Sequence, residues 1–226
     1  METRPFYVGD LKQARVLVIG HDPRLQTSHT QAEYAFFADY FFKPIPARSS
    51  ERAKYGLAQA VFAYIGHLTS YQYTAQQLVL TNLCNAALPH APKGRTTLIP
   101  EDKARAGVEA IQTILSQGNI EVVCAMSQQV NYWLQKLEFY PAVPEFLDKA
   151  EPRLSGVQHD PPYYDPRQSG AFQLICGQCY SHGKQSVYPI LHVKSWPLRG
   201  AFARAYRSSY ENLVNQFKRH TVSQLP

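Results

Sequence analysis

Three short apolar runs, each ending in polar residues, constrain the fold of this chain most. They lie at residues 16–19, within 77–83 and within 120–125. Unbroken runs of this length are typical of strands buried on both faces, as in a parallel sheet. Between the runs, apolar residues recur at helical spacing, so strands and helices alternate. The chain is therefore predicted to be an α/β protein, a three-layer helix–sheet–helix sandwich with a mainly parallel central sheet.

The remaining pattern predicts five helices and two further strands. The helices are expected at residues 28–42, 51–69, 100–118, 127–137 and 200–220, and the strands at 172–180 and 187–193. Residues 140–170 hold six prolines, a density that argues against a helix or a central strand. We expect an irregular surface excursion there, within one domain spanning residues 1–226, because the α/β pattern resumes after it.

Composition narrows the class of protein. The formal net charge of +6 and the pI near 9.1 permit a polyanionic partner. No apolar run is long enough for a membrane span, and residues 1–5 lack the apolar stretch of a secretory signal. We therefore expect no membrane association and a cytoplasmic location, or a nuclear one in a eukaryote. The four cysteines are then expected to be free thiols.

Polar motifs follow three of the predicted strands. They are Gly20-His21-Asp22-Pro23, Thr81-Asn82 and His192. A parallel sheet gathers the carboxyl ends of its strands at one edge, where open α/β sheets bind their ligands. Taken alone, Asp22 could equally cap a turn. Together the three motifs predict a ligand site at this edge.

These motifs resemble those of the uracil-DNA glycosylase superfamily. The first motif of its best-known branch reads Gly-Gln-Asp-Pro-Tyr-His, the last reads His-Pro-Ser-Pro-Leu, and an asparagine ends a middle strand. Here residues 20–24 read Gly-His-Asp-Pro-Arg, and residues 192–198 read His-Val-Lys-Ser-Trp-Pro-Leu, with two extra residues. Asn82 lies between them, and Leu-Thr-Asn at 80–82 followed by Gly-Arg-Thr at 94–96 is similar to the thermophile-type branch. The resemblance spans about residues 16–201.

The resemblance implies a monofunctional, monomeric DNA N-glycosylase that needs no cofactor or metal. Such an enzyme would flip uracil or a modified pyrimidine out of single- or double-stranded DNA and hydrolyse its glycosidic bond. By the same resemblance, Asn82 would read the edge of the base. Asp22 would position water and offset the developing oxocarbenium charge. His192 would donate to the carbonyl of the departing base anion.

The resemblance also implies the other members of the site. Phe37, or Phe36 in its place, would stack on the flipped base, and Leu198 would wedge into the emptied duplex position. Arg24 stands where the best-known branch has a tyrosine that excludes a 5-methyl group, so polar substituents at pyrimidine C5 should be better tolerated. The base pocket would comprise Gly20, His21, Pro23, Arg24, Phe36, Phe37 and Asn82. DNA would be contacted by Lys194, Ser195, Leu198, Arg199 and Arg204.

Two other functions remain open at this point. One is a catalytically inactive protein that binds damaged DNA. The other is a nucleotide- or phosphate-binding α/β hydrolase. The sequence argues against this function, because no glycine-rich phosphate loop follows the first strand.

A metal site is a separate alternative. Cys176, Cys179 and His182 have a spacing that suggests zinc, and the thermophile-type branch holds an iron–sulfur cluster. We favour neither metal. The thermophile-type branch carries two of its cluster ligands before the first motif, and this chain has no cysteine there. Moreover, Cys176 and Cys179 should point to opposite faces of the predicted strand.

Overall fold

The computed structural model describes residues 7–21, 45, 49–86, 88, 91–92, 95–154, 163–164, 170–195, 198 and 204–222. Its helices are α1 (Ser49–Leu68), α2 (Glu101–Gln117), α3 (Gln128–Lys136), α4 (Pro144–Leu154) and α5 (Arg207–Val222). Its strands are β1 (Tyr7–Val8), β2 (Val16–Gly20), β3 (Leu78–Asn82), β4 (Thr96–Thr97), β5 (Val122–Met126), β6 (Tyr163–Tyr164), β7 (Tyr180–His182) and β8 (Gln185–Ile190). None of the helices in this part of the chain has both the length and the apolar character needed to cross a membrane.

Six strands form one mixed sheet in the order β1-β3-β2-β5-β8-β7. The four inner strands are parallel, and the two edge strands pair antiparallel with their neighbours. β4 and β6 form a separate two-stranded antiparallel pair. At the amino end of the inner strands, Arg15 and Glu121 form an ion pair between β2 and β5.

Helices cover both faces of this sheet, and the side chains of β2 show why. Leu17 and Ile19 belong to a core shared with α2, α3 and α4, whereas Val16 and Val18 belong to a second core shared with α1 and α5. Successive side chains of a strand point to opposite faces, so a strand covered on both sides must be apolar throughout. The predicted α/β sandwich with a mainly parallel sheet is confirmed.

Helix α2 illustrates how local sequence sets the ends of an element. Pro100 is its N-cap, Glu101 and Asp102 occupy the first turn near the positive end of the helix dipole, and Gly118 follows the last residue. The predicted helix bounds are confirmed here, and those of α1 and α3 lie within two residues of the expected ones. The predicted helix at 28–42 lies outside the described residues.

Two expectations about the second half of the chain are wrong. Residues 140–170 contain helix α4, because Pro144 stands at its first position, where no backbone donor is needed. They also contain β6, which pairs with β4. Within residues 140–154 and 163–164, the described part of this region, the chain is thus more regular than its proline content indicates.

The strand expected at 172–180 is the second error. Residues 170–174 form a 3₁₀ helix, and the backbone N–H of Cys176 donates to the Phe172 oxygen at 2.9 Å. Gly177 then adopts φ +82°, and only the last predicted residue joins β7. The prediction of a strand is wrong because the buried residues of this segment recur at helical spacing, at 171, 172, 175 and 176. β8 also ends three residues before the predicted 193.

Candidate functional site

The carboxyl ends of the inner strands meet at one edge of the sheet, and the first two motifs lie together there. Gly20 at the end of β2 pairs with Asn82 at the end of β3. Beyond the strands, the Leu83 N–H donates to the Gly20 oxygen at 2.8 Å, and the Cys84 N–H donates to the His21 oxygen at 3.0 Å. The backbone that carries His21 is therefore tied to the chain following β3.

Asn82 is buried at this edge, with 3% of its surface exposed. Its backbone oxygen accepts a hydrogen bond from Asn85 Nδ2 at 3.2 Å. No hydrogen bond joins its side-chain amide to another residue in the described ranges. Neither amide atom is a fully enclosed polar atom without a partner, so in this part of the chain the amide remains accessible to water or to a ligand. This side chain is therefore a candidate ligand-binding group.

Helix α2 fixes the position of the chain just after Asn82. At Gly107 the helix comes so close to Leu83 that an added Cβ would lie 2.7 Å from the Leu83 carbonyl carbon, and nearer still to its oxygen. Real Cβ atoms essentially never approach a neighbour this closely. Glycine at position 107 thus allows the backbone of α2 to contact the backbone of Leu83, which holds the chain just after Asn82 in place.

His21 is half-buried, and its ring is held by a residue that we did not predict. Its Nε2 lies 3.1 Å from Oε1 of Gln129, a fully buried side chain in the first turn of α3. The same Oε1 accepts the Ile99 N–H at 2.6 Å, and Gln129 Nε2 donates to the Thr97 oxygen at 3.3 Å. One glutamine therefore joins β2, α3 and the segment after β4. The available sequence signal was an amide pair, at 128 and 129, directly after a buried strand.

Gln129 is set in place by a strained turn between β5 and α3. Ser127 has φ 83° and ψ 159°, a region that is populated almost only by glycine and costs about 1–3 kcal/mol. Asn131 Nδ2 compensates by donating to the Ala125 and Ser127 oxygens at 2.8 and 2.7 Å. The Ser127 N–H also donates to the Ile190 oxygen at 3.0 Å, which ties the turn to β8.

A buried polar network behind this turn supports Asn131. The Tyr140 hydroxyl donates to Asn131 Oδ1 at 2.8 Å and accepts from Gln135 Nε2 at 3.1 Å. Gln135 Oε1 in turn accepts the Val143 N–H at 2.8 Å. Burial raises the pKa of Tyr140 above its ordinary value, so the hydroxyl stays protonated as the network requires.

The last motif reaches the same edge from β8. His192 is half-buried two residues past the end of the strand, and its backbone oxygen accepts the Ser195 N–H at 2.8 Å. β8 is separated from β2 only by β5, and adjacent strands are about 4.8 Å apart, so the two strand ends lie roughly 10 Å apart.

The predicted DNA-contacting residues differ in their surroundings. Arg204 is exposed, and Ser195 is half-buried. Leu198 is half-buried with φ 37° and packs against both cores, so a wedge role would require it to leave that packing. Asp22, Pro23, Arg24, Phe36, Phe37, Arg199 and the side chain of Lys194 lie outside the described residues.

The cysteines are dispersed through the fold. Cys124 on β5 and Cys176 belong to different cores, and burial raises the pKa of both thiols to about 12. Cys84 is buried and Cys179 is exposed. Among the described residues, no three His, Cys, Asp or Glu side chains cluster closely enough to hold a metal ion.

The chain was compared with known protein families and with curated proteins. No profile of a known protein family matches this chain, and no curated protein matches it either. The resemblance to the glycosylase superfamily therefore rests on the sequence motifs.

Proposed function

We propose that this protein is a DNA N-glycosylase that excises uracil or a modified pyrimidine. The observation that carries the proposal is the Asn82 amide. It belongs to a largely buried residue beside Gly20 at the carboxyl edge of the sheet, makes no hydrogen bond to another described residue, and remains accessible to a ligand. An amide both donates and accepts, and so complements the carbonyl and N–H of a pyrimidine edge. A flipped base read in this way would complete the hydrogen bonding of Asn82.

The neighbouring motifs supply the chemistry that base release requires. Asp22 follows His21 directly, and in the proposed mechanism its carboxylate positions a water and offsets positive charge on the sugar. His192 at the end of β8 donates to a carbonyl of the departing base, which leaves as an anion. The net charge of +6 favours the phosphate backbone of DNA as the partner.

The test is a screen of oligonucleotides that carry different modified pyrimidines, with alkaline cleavage to reveal abasic sites. Asp22→Asn should leave folding and DNA binding nearly intact and slow base release by about 10²–10⁴-fold in single-turnover assays. Asn82→Ala should also lose base release. The matched controls are Asp10→Asn and Asn119→Ala, both at exposed positions shortly before the amino ends of β2 and β5, and both should behave like the parent.

The outcomes separate the competing functions. Turnover of at least one modified base that depends on both Asp22 and Asn82 supports the glycosylase. Selective binding of modified DNA without release of any base would instead favour an inactive binder of damaged DNA. If neither binding nor release is seen across the series, the proposal is wrong.

A further inference from the structure

The hydrogen bonds around Gln129 determine which of its side-chain atoms is the oxygen. A backbone N–H can only donate, and the Ile99 N–H lies 2.6 Å from the atom assigned as Oε1. A backbone carbonyl can only accept, and the Thr97 oxygen lies 3.3 Å from the atom assigned as Nε2. Turning the amide over would place two donors together and two acceptors together. The orientation of Gln129 is therefore fixed from both ends.

This orientation determines the state of the His21 ring. The Gln129 oxygen is an acceptor, so His21 Nε2, 3.1 Å away, must carry the hydrogen. In the neutral ring the lone pair then lies on Nδ1. We propose that Gln129 is a positioning residue that holds His21 in the Nε2–H tautomer and anchors its side chain to α3.

The proposed role in activity rests on the proposed function, because it concerns the segment that leads into Asp22. The His21 backbone oxygen is already tied to the Cys84 N–H on one side. Gln129 ties the side chain on the other side, so the residue before Asp22 is held from both β3 and α3. Since catalysis by a positioned group is sensitive to displacements of about 1 Å, loss of the anchor should lower the rate of the chemical step.

The inference is tested first on the free protein by ¹⁵N-histidine NMR, which needs no activity. Comparison with His21→Gln identifies the His21 signals among the 8 histidines. In the neutral parent we expect the Nε2–H tautomer, with a ring proton that exchanges slowly with water. In Gln129→Met, which keeps the shape but removes the acceptor, exchange should accelerate by about 3- to 10-fold.

Gln128→Met is the matched control. Gln128 is adjacent and 5% exposed, and neither of its side-chain polar atoms has a hydrogen-bond partner within the described ranges, so this substitution breaks no hydrogen bond there. It should leave the His21 signals unchanged. If Gln129→Met does not fold, Gln129→Glu keeps an oxygen at the same place, and the ring proton should exchange at least as slowly as in the parent.

Each result supports or overturns the inference. An Nδ1–H tautomer in the parent, or equal exchange in the parent and a folded Gln129→Met, overturns it. Once a substrate is known, Gln129→Met should lower kcat with little change in KM, and an unchanged kcat removes the positioning role. A parent that shows the expected NMR signals but releases no base would refute the proposed function alone.

Discussion

Gly107→Ala should destabilise the protein, although alanine is the better helix former. The new Cβ would start 2.7 Å from the Leu83 carbonyl carbon, whereas an ordinary contact begins at 3.4 Å. The helix or the end of β3 must therefore retreat by about 0.7 Å, and by more to clear the oxygen. Overpacking costs typically about 1–3 kcal/mol, and the obstacle here is backbone that cannot change rotamer, so we expect about 3 kcal/mol. The gain of about 1 kcal/mol in helix propensity leaves a net loss of about 2 kcal/mol.

Urea unfolding followed by circular dichroism measures this loss. Gly56→Ala is the control, because Gly56 is exposed on α1 and an added Cβ would meet nothing within 4 Å. It should raise the free energy of unfolding by about 0.5–1 kcal/mol. If Gly107→Ala is as stable as Gly56→Ala, α2 does not press on Leu83 and the reasoning about the support of Asn82 fails.

Two further predictions concern buried polar groups. Tyr140→Phe should cost about 1–3 kcal/mol in urea unfolding, because Asn131 Oδ1 and Gln135 Nε2 each lose the Tyr140 hydroxyl as a partner; a loss below about 0.5 kcal/mol would contradict the network. Burial raises the pKa of Cys124 and Cys176 from 9.0 to about 12, so the unfolded chain loses these protons first and stability should fall as the pH rises from 9 toward 12. The slope approaches about 1.4 kcal/mol per pH unit for each thiol. Cys124→Ala with Cys176→Ala should reduce the slope between about pH 9 and 10, below the range in which buried tyrosines with raised pKa values also contribute; an unchanged slope there refutes the assignment.

The parallel centre of the fold could be predicted because it depends on burial alone. β2, β3 and β5 are buried along their whole length, so each appears in the sequence as a mainly apolar run. The same patterns place Gly20, Asn82 and His192 after strand ends. Whether those strands are neighbours depends on topology, which a single sequence does not state.

The wrong and missed predictions have physical causes that residue composition alone does not show. The density of prolines in residues 140–170 argues against a helix there, yet Pro144 begins α4, much as Pro100 precedes α2. Gln129 was missed because its role comes from partners distant in the chain: His21 lies 108 residues away and Ile99 lies 30 residues away. The amide pair at 128 and 129 marks the end of a strand, but it does not indicate that Gln129 is buried and bonded to several distant segments.

The position of β2 in the centre of the sheet has a consequence for how the chain assembles. Val16 pairs with Leu78 on one side and with Val122 on the other. During synthesis, β2 therefore emerges long before either neighbour exists, and its second side stays open until β5 has left the ribosome. Pairings this distant in sequence fold slowly and expose apolar strand edges in the meantime. The strand that carries the first motif is thus the part of the nascent chain that most needs protection from aggregation.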